Sequence, residues 1–401
     1  MIIRKKCLSC NNKSLKEIIN LGLHSFADRF VPKKKLYVKD PTFPLILDYC
    51  TKCKFIQSKV KTNPKQRYLE IDYSYTSSNS NYSRNHWNEF ANFLEKKFKL
   101  KDKKILEIGS NDGYLCEILN NKGANTIGVD ASSFMTKLSE KRKVKSVNSI
   151  FNYYESKKIK KRFNKFDIII ANNVFNHSDQ PSNFLKGVFN LLNDDGIYVF
   201  EQPDFAIGAL SLKFDQIYHE HVSYFTSRNI ESILKQNKFK LILIKQNNYH
   251  GGSLRSVAVK NNSNIYKESY NRKIFKKFDK IYNLNFFKKM MNKINKKKHN
   301  LIKKIEFLKD KGYVICGIGA GAKANTFLTY YNLNNQSVKF ITDSSRFKQN
   351  KFTPLTRIQI KDDKEIKNYK KIACIILSWN ISNLLIKKIK KLNKNIKILN
   401  T

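Results

Sequence analysis

Three groups of residues in this chain have the types and spacing to do chemistry. The first is Tyr218-His219-Glu220-His221, which holds two of the seven histidines. Imidazole titrates near neutrality, so it can take a proton from a carbon that a neighbouring carbonyl has acidified. The carbanion or enolate left behind can attack an electrophilic methyl group. In an extended segment, His219 and His221 would share one face, with Glu220 opposite and Tyr218 and Tyr224 adding polar tips. Two blander readings compete: a His-x-His metal pair, for which no third ligand is evident nearby, and interior histidines bonded to the backbone. Four polar groups beside aromatic residues favour a site.

The second group is Glu107-Ile108-Gly109-Ser110-Asn111-Asp112-Gly113, directly after the apolar run from Lys104. Glycine removes side-chain bulk where a chain bends, so the backbone can approach a ligand closely. Asp130 ends the next apolar run, where a carboxylate can accept bonds from both hydroxyls of a ribose. Glu107 could reach the amino acid part of the same ligand. Ala171-Asn172-Asn173-Val174-Phe175-Asn176-His177 follows a third run, at the sheet edge where open α/β folds bind ligands. A nucleoside-type methyl donor fits these three strand ends. An ordinary β-turn-α junction is the alternative for the glycine turn taken alone.

The third group is Cys7-Leu8-Ser9-Cys10 and Cys50-Thr51-Lys52-Cys53. Two thiolates in a tight turn grip one side of a Zn²⁺ ion, and two such turns complete a tetrahedron. A redox Cys-x-x-Cys would open a helix in a thioredoxin-like unit, and that pattern is missing. Four sulfurs leave no open coordination position, so the expected role is structural. Cys116, Cys316 and Cys374 sit in apolar contexts and read as buried packing.

These groups need elements to hold them. Residues 101–200 alternate apolar runs with helical patterns, which predicts a parallel sheet with crossover helices. Runs from Phe239 and Ser253, separated by a turn with Gly251-Gly252, predict a closing hairpin. The expected class is α/β: a doubly wound sheet flanked by a small N-terminal zinc module and a C-terminal Rossmann-like domain. The expected division is 1–65 for the zinc module, 66–262 for the methyl-donor domain, 263–308 for a helical connector and 309–401 for the last domain. That domain has its own glycine turn, Gly317-Ile318-Gly319-Ala320-Gly321-Ala322-Lys323, with Asp343 at the next strand end. The turn nearly matches a dinucleotide fingerprint, so an NAD-dependent sugar epimerase or reductase is the competing enzyme.

The net charge of +45 raises a third possibility, a zinc-containing nucleic-acid binder. Lysines are scattered over nearly every surface-type segment, which favours a solvated basic surface and no nucleic acid. Such a field still attracts a nucleoside diphosphate. No apolar stretch reaches transmembrane length and the N-terminus lacks a signal-peptide core, so the expected location is the cytoplasm, without membrane contact. Oligomeric state is left open.

Together these segments resemble the sugar C-methyltransferases of deoxysugar biosynthesis, which act on nucleotide-linked 4-keto sugars. The resemblance covers nearly the whole chain: the paired-cysteine module, EIGSNDG, EQPDF, IYHEHVSYF, GAGAKANTFL, TDSSRFKQNKFTP and Ser378-Trp379-Asn380. It implies S-adenosylmethionine over Glu107, Gly109, Asn111 and Asp130. It implies that His221 abstracts the proton at C3, with Glu220 in support and Tyr218 near the sugar. A tyrosine of the family's Y-x-Y-x-S stretch also lines the sugar site, here Tyr75 in preference to Tyr73. The family's third domain binds no NAD. Its last turn usually ends in glycine, where this chain has Ala324.

Overall fold

The computed structural model describes residues 2–68, 76–270, 273 and 278–399. Tyr73 and Tyr75 lie outside the described residues. The N-terminal module contains β1 (Ile2–Ile3), β2 (Leu15–His24), β3 (Val31–Pro32), β4 (Phe43–Cys50), β5 (Ile56–Ser58), β6 (Val60–Lys61) and a short helix α1 (Pro64–Tyr68). Antiparallel pairing of β2 with β4 sets Leu15 opposite Cys50, which brings the two cysteine turns together. Each turn closes on itself, Asn11 N–H to Cys7 O and Lys54 N–H to Cys50 O, both 3.0 Å.

The middle domain opens with α2 (Asn81–Phe98), capped by the Ser80 hydroxyl, which accepts from Ser83 N–H. Then come β7 (Lys104–Ile108), α3 (Tyr114–Asn121), β8 (Asn125–Asp130), α4 (Ser133–Lys141), β9 (Lys145–Asn148), α5 (Tyr153–Phe163), β10 (Phe166–Ile170), α6 (Pro181–Leu191) and β11 (Leu192–Pro203). Next are α7 (Phe205–Leu210), β12 (Ser223–Tyr224), α8 (Ser227–Gln236), β13 (Phe239–Asn247) and β14 (Ser253–Lys260). The sheet order is β13-β14-β11-β10-β7-β8-β9. β14 is antiparallel to both of its neighbours, the expected hairpin, and the strands from β11 to β9 are parallel. Ile105, Leu106, Ile168, Ile169 and Ile170 are buried, as parallel strands covered on both faces require. Strand order reverses between β7 and β10, which leaves a crevice at their C-terminal ends.

Helix α9 (Leu284–Asp310) buries one stripe, Phe287, Met290, Ile294, Leu301, Ile305 and Leu308, at helical spacing. It packs on β2 and on the first strand of the last domain. That domain comprises β15 (Val314–Ile318), α10 (Ala322–Tyr331), β16 (Phe340–Thr342), β17 (Lys351–Phe352), β18 (Ile360–Lys361), β19 (Ile372–Ile376), α11 (Ser382–Leu392) and β20 (Lys397–Leu399). Its sheet, β18-β16-β15-β19-β20, is wholly parallel.

Two short strands stitch the modules together. β12 follows the histidine cluster and adds to β5 at the edge of the N-terminal sheet, in the order β12-β5-β4-β2. β17 pairs with β3. No helix among the described residues is long and apolar enough to cross a membrane.

Candidate active site

The sulfurs of Cys7, Cys10, Cys50 and Cys53 all lie within 4.8 Å of one another. Cys7 and Cys53 are 3.5 Å apart, Cys10 and Cys50 3.6 Å. Tetrahedral Zn–S bonds of about 2.3 Å place sulfurs about 3.8 Å apart, so the four thiols fit a zinc ion.

A cavity of about 460 Å³ opens at the crevice between β7 and β10. Glu107, Gly109, Asn111, Asp130, Asn172, Asn173 and His177 all line it. Gly109 has φ +73°, and a Cβ there would sit 2.9 Å from Val174 Cβ, so only glycine fits. Asp130 accepts from Asn111 N–H at 2.9 Å and Ser132 N–H at 2.8 Å, which ties the turn to the strand end. Burial pushes the Asp130 carboxyl up to about 6 and the Glu107 carboxyl up to about 8. The Cys116 thiol, read from sequence as packing, donates to Glu107 Oε2 at 3.0 Å. Ser110 Oγ, Asn172 Nδ2 and Asn173 Oδ1 are buried with no hydrogen-bond partner among the described residues. All three residues line the cavity, which suits a polar ligand.

The other two residues of the turn face elsewhere. Asp112 holds the Ser77 and Ser78 hydroxyls and lies 3.5 Å from Arg142. Gly113 has φ +74° and packs on Ser139. Neither lines the cavity.

The histidine cluster is not extended. Residues 218–221 form a tight turn closed by His221 N–H to Tyr218 O at 3.0 Å, so the two imidazoles part instead of sharing a face. His219 lies edge-on to Phe26 and Phe43, with Nε2 3.2 Å from Phe43 O, an interior position. His221 Nδ1 is 2.9 Å from Gln216 O, and Nε2 is 2.6 Å from the Tyr218 hydroxyl. A carbonyl only accepts, so Nδ1 carries the proton and Nε2 holds a lone pair toward Tyr218. Burial, then His177, holds the His221 imidazole well below its ordinary pKa.

His177 lines this cavity; His221 lies beside His177, with ring centroids 5.2 Å apart. His221 itself borders a small neighbouring void with Gln216, Ser223 and Tyr224. Glu220 faces away from both rings: its Oε1 accepts from Ala27 N–H at 3.1 Å and Asp28 N–H at 3.4 Å. Burial, then Asp28, pushes that carboxyl up to about 8.

Sequence reasoning missed three groups near this wall. Arg67 and Tyr68 line the cavity from α1, and no motif marks them. His250 also lines it, from the turn before Gly251. A Cβ on Gly251 would come within 2.1 Å of the Trp379 ring, so this glycine lets the two domains touch. Lys323 leaves the C-terminal turn, bonds to His250 O at 3.0 Å and lies over Trp379 at 4.5 Å.

Three family models match consecutive parts of the chain. Residues 7–68 match "Putative zinc binding domain", 81–244 "Methyltransferase domain" and 248–398 "C-methyltransferase C-terminal domain". Together these matches identify the chain as an S-adenosylmethionine-dependent C-methyltransferase. This C-methyltransferase is 21% identical to C-methyltransferase NovU of Streptomyces niveus over 378 residues, 94% of this chain and 90% of the relative. Among solved structures it is similar to the PH0226 protein of Pyrococcus horikoshii OT3: 18% identity, TM-score 0.40, 48% of this chain and 97% of the other covered. It is also similar to an S-adenosylmethionine-dependent methyltransferase of Clostridium acetobutylicum: 18% identity, TM-score 0.36, 46% and 93% covered. The third domain, which carried the dinucleotide alternative, thus falls within the C-methyltransferase models. The enzyme's cofactors are S-adenosylmethionine and zinc, and the four-cysteine cluster fits the zinc.

Proposed function

We propose that this C-methyltransferase acts on a nucleotide-linked keto sugar and methylates the carbon next to the ketone. The observation that carries this reading is the imidazole pair: His177 lines the cavity that begins at Gly109 and Asp130, and His221 packs behind it beside a small adjoining void. A carbon next to a ketone becomes a nucleophile only after a base removes its proton, and imidazole is the side chain most often used for that work. Similarity to NovU along most of the chain supports the same class of reaction.

Glu107, Gly109, Asn111 and Asp130 hold the donor, with Asn172 and Asn173 on its other side. When bound, S-adenosylmethionine supplies an electrophilic methyl group. His221 takes the α proton on Nε2, with its Nδ1 proton fixed on Gln216 O. Tyr218 gives up its bond to that nitrogen when the sugar enters, and its hydroxyl turns to the substrate. Glu220 supports the base by anchoring its turn. Tyr75 completes the sugar site.

The units of this reading are 1–65, 66–262, 263–308 and 309–401, with the first extended to Tyr68 at the end of α1. Both co-substrates are charged and cross membranes poorly, so the reaction belongs in the cytoplasm. The test is mass spectrometry after incubation with S-adenosylmethionine and a panel of nucleotide keto sugars. The expected result is a gain of one methylene on a sugar carbon. Methylation of an oxygen, or of none of the panel, would overturn the substrate assignment.

A further inference from the structure

The zinc module does more than sit beside the methyl-transfer wall. Its last helix, α1, supplies two residues that reach the imidazoles. Tyr68 stacks on His177, ring centroids 6.0 Å apart at an interplanar angle of 7°. Its hydroxyl donates to Glu220 O at 3.2 Å, next to His221 in the chain. Arg67 is buried, ion-paired with Asp179, and donates to His219 O at 3.4 Å. Its guanidinium lies 5.3 Å over the Tyr68 ring. The same module holds the backbone after His221: Ser58 N–H donates to Val222 O at 2.8 Å, and Ser223 pairs with Gln57.

We infer that Arg67 and Tyr68 are positioning residues for methyl transfer: a clamp from the zinc module that fixes His177, as an uncharged ring, between the donor cavity and His221. This inference rests on the reading of that wall as the site of proton abstraction. The physical argument has two parts. A stacked tyrosine fixes the plane of His177, and fixed groups need no reorganisation at the moment of reaction. A buried cation nearby opposes a second positive charge. Burial and Arg67 hold the His177 imidazole down to about 3. Among the described residues, the titratable or charged groups around it are Arg67 and Tyr68 from α1, His221 from the 218–221 turn, and Asp179 in its own segment, which Arg67 shares with buried Arg4. A protonated His177 would repel both a cationic methyl donor and the proton arriving at His221.

The test follows the histidine rings of full-length, zinc-loaded enzyme by ¹⁵N NMR across pH, with His177→Gln to assign the signal. In the wild type the His177 ring stays neutral down to pH 5. In Arg67→Met its midpoint rises by at least one pH unit, and kcat falls by threefold or more with the donor Kd within twofold. Arg67→Lys, which keeps the cation, recovers most of both. Tyr68→Leu lowers kcat by tenfold or more with the donor Kd within twofold, and Tyr68→Phe recovers most of the loss. Should Arg67→Met not fold, the Tyr68 pair decides alone. An unchanged His177 titration in folded Arg67→Met, or wild-type kcat in Tyr68→Leu, overturns the clamp. The titration needs no sugar substrate, so it stands or falls separately from the assignment of the keto sugar.

Discussion

The two glycine turns of this enzyme are near copies in local structure and differ in what faces them. Each follows a parallel strand, opens a helix and is tied to an aspartate at the end of the next strand. Asp130 accepts from Asn111 N–H at 2.9 Å and Ser132 N–H at 2.8 Å. Asp343 accepts from Ala320 N–H and Ser345 N–H, both 2.8 Å. Their surroundings differ. The first turn faces a cavity of about 460 Å³. At the second, Lys348 Nζ bonds to Ala320 O at 2.8 Å and lies 3.9 Å from Asp343, so the protein provides its own cation. Ser378 fills the space over Gly319, where an added Cβ would meet its hydroxyl at 2.1 Å. The lesson is that strand-turn-helix with a following aspartate is a packing solution. Whether it holds a cofactor depends on what the rest of the chain puts in front of it.

That contrast can be broken or sharpened by mutation. The largest expected effect concerns the imidazole packed behind His177, which lines the first turn's cavity. His221→Ala should lower kcat by about 10²–10⁴-fold, the usual worth of a general base. Its donor affinity should stay near wild type by calorimetry. Equal loss of donor binding would mean that His221 serves the turn and not the chemistry.

The matched aspartates come next. Asp130→Ala should weaken S-adenosylmethionine binding by about 10–100-fold, as expected for hydrogen bonds to a charged acceptor. Asp343→Ala should leave that affinity within about twofold, yet reduce stability by about 1–3 kcal/mol by stranding the amides of buried Ala320 and half-buried Ser345. If both variants lose the donor equally, the two turns are not functionally distinct.

A smaller effect should appear with pH. Glu107 and Asp130 have carboxyl pKa values raised to about 8 and about 6 in the donor-free cavity. A cationic donor prefers their ionised forms. Binding therefore releases protons below these values, and affinity should rise from pH 5 to pH 8 and then level off. Calorimetry in buffers of different ionisation heat measures both the slope and the proton release. A flat profile would place those acids away from the donor's charge.

The smallest effect tests the floor of the first turn. Cys116→Ala removes the thiol that donates to Glu107 and so makes ionisation of that acid harder. Donor affinity at pH 7 should fall by about two- to fivefold, a weak hydrogen bond's worth, and recover near pH 9.

The donor end was legible because it is local. Glu107, Gly109, Asn111 and Asp130 all lie within one β-α-β unit, where the strand ends and the turn force them together. The cysteine module was legible for a similar reason, since two matched spacings imply one tetrahedral ion. The histidine wall was legible in type but not in geometry. His219 and His221 belong to a turn, and their roles separate because Phe43 O captures one ring and Gln216 O the other. Arg67 and Tyr68 had no motif to reveal them, since their partners lie more than a hundred residues away.

By itself, the order of apolar runs, glycines, cysteines and carboxylates determined the α/β class, a glycine turn at the C-terminal edge of the sheet and the zinc module. Those features depend on backbone periodicity and on contacts a few residues apart. Only the tertiary structure decided which glycine turn stays open, which histidine borders the cavity and which module braces it. These depend on packing between segments distant in sequence, where one buried lysine or one stacked ring settles whether a ligand has room.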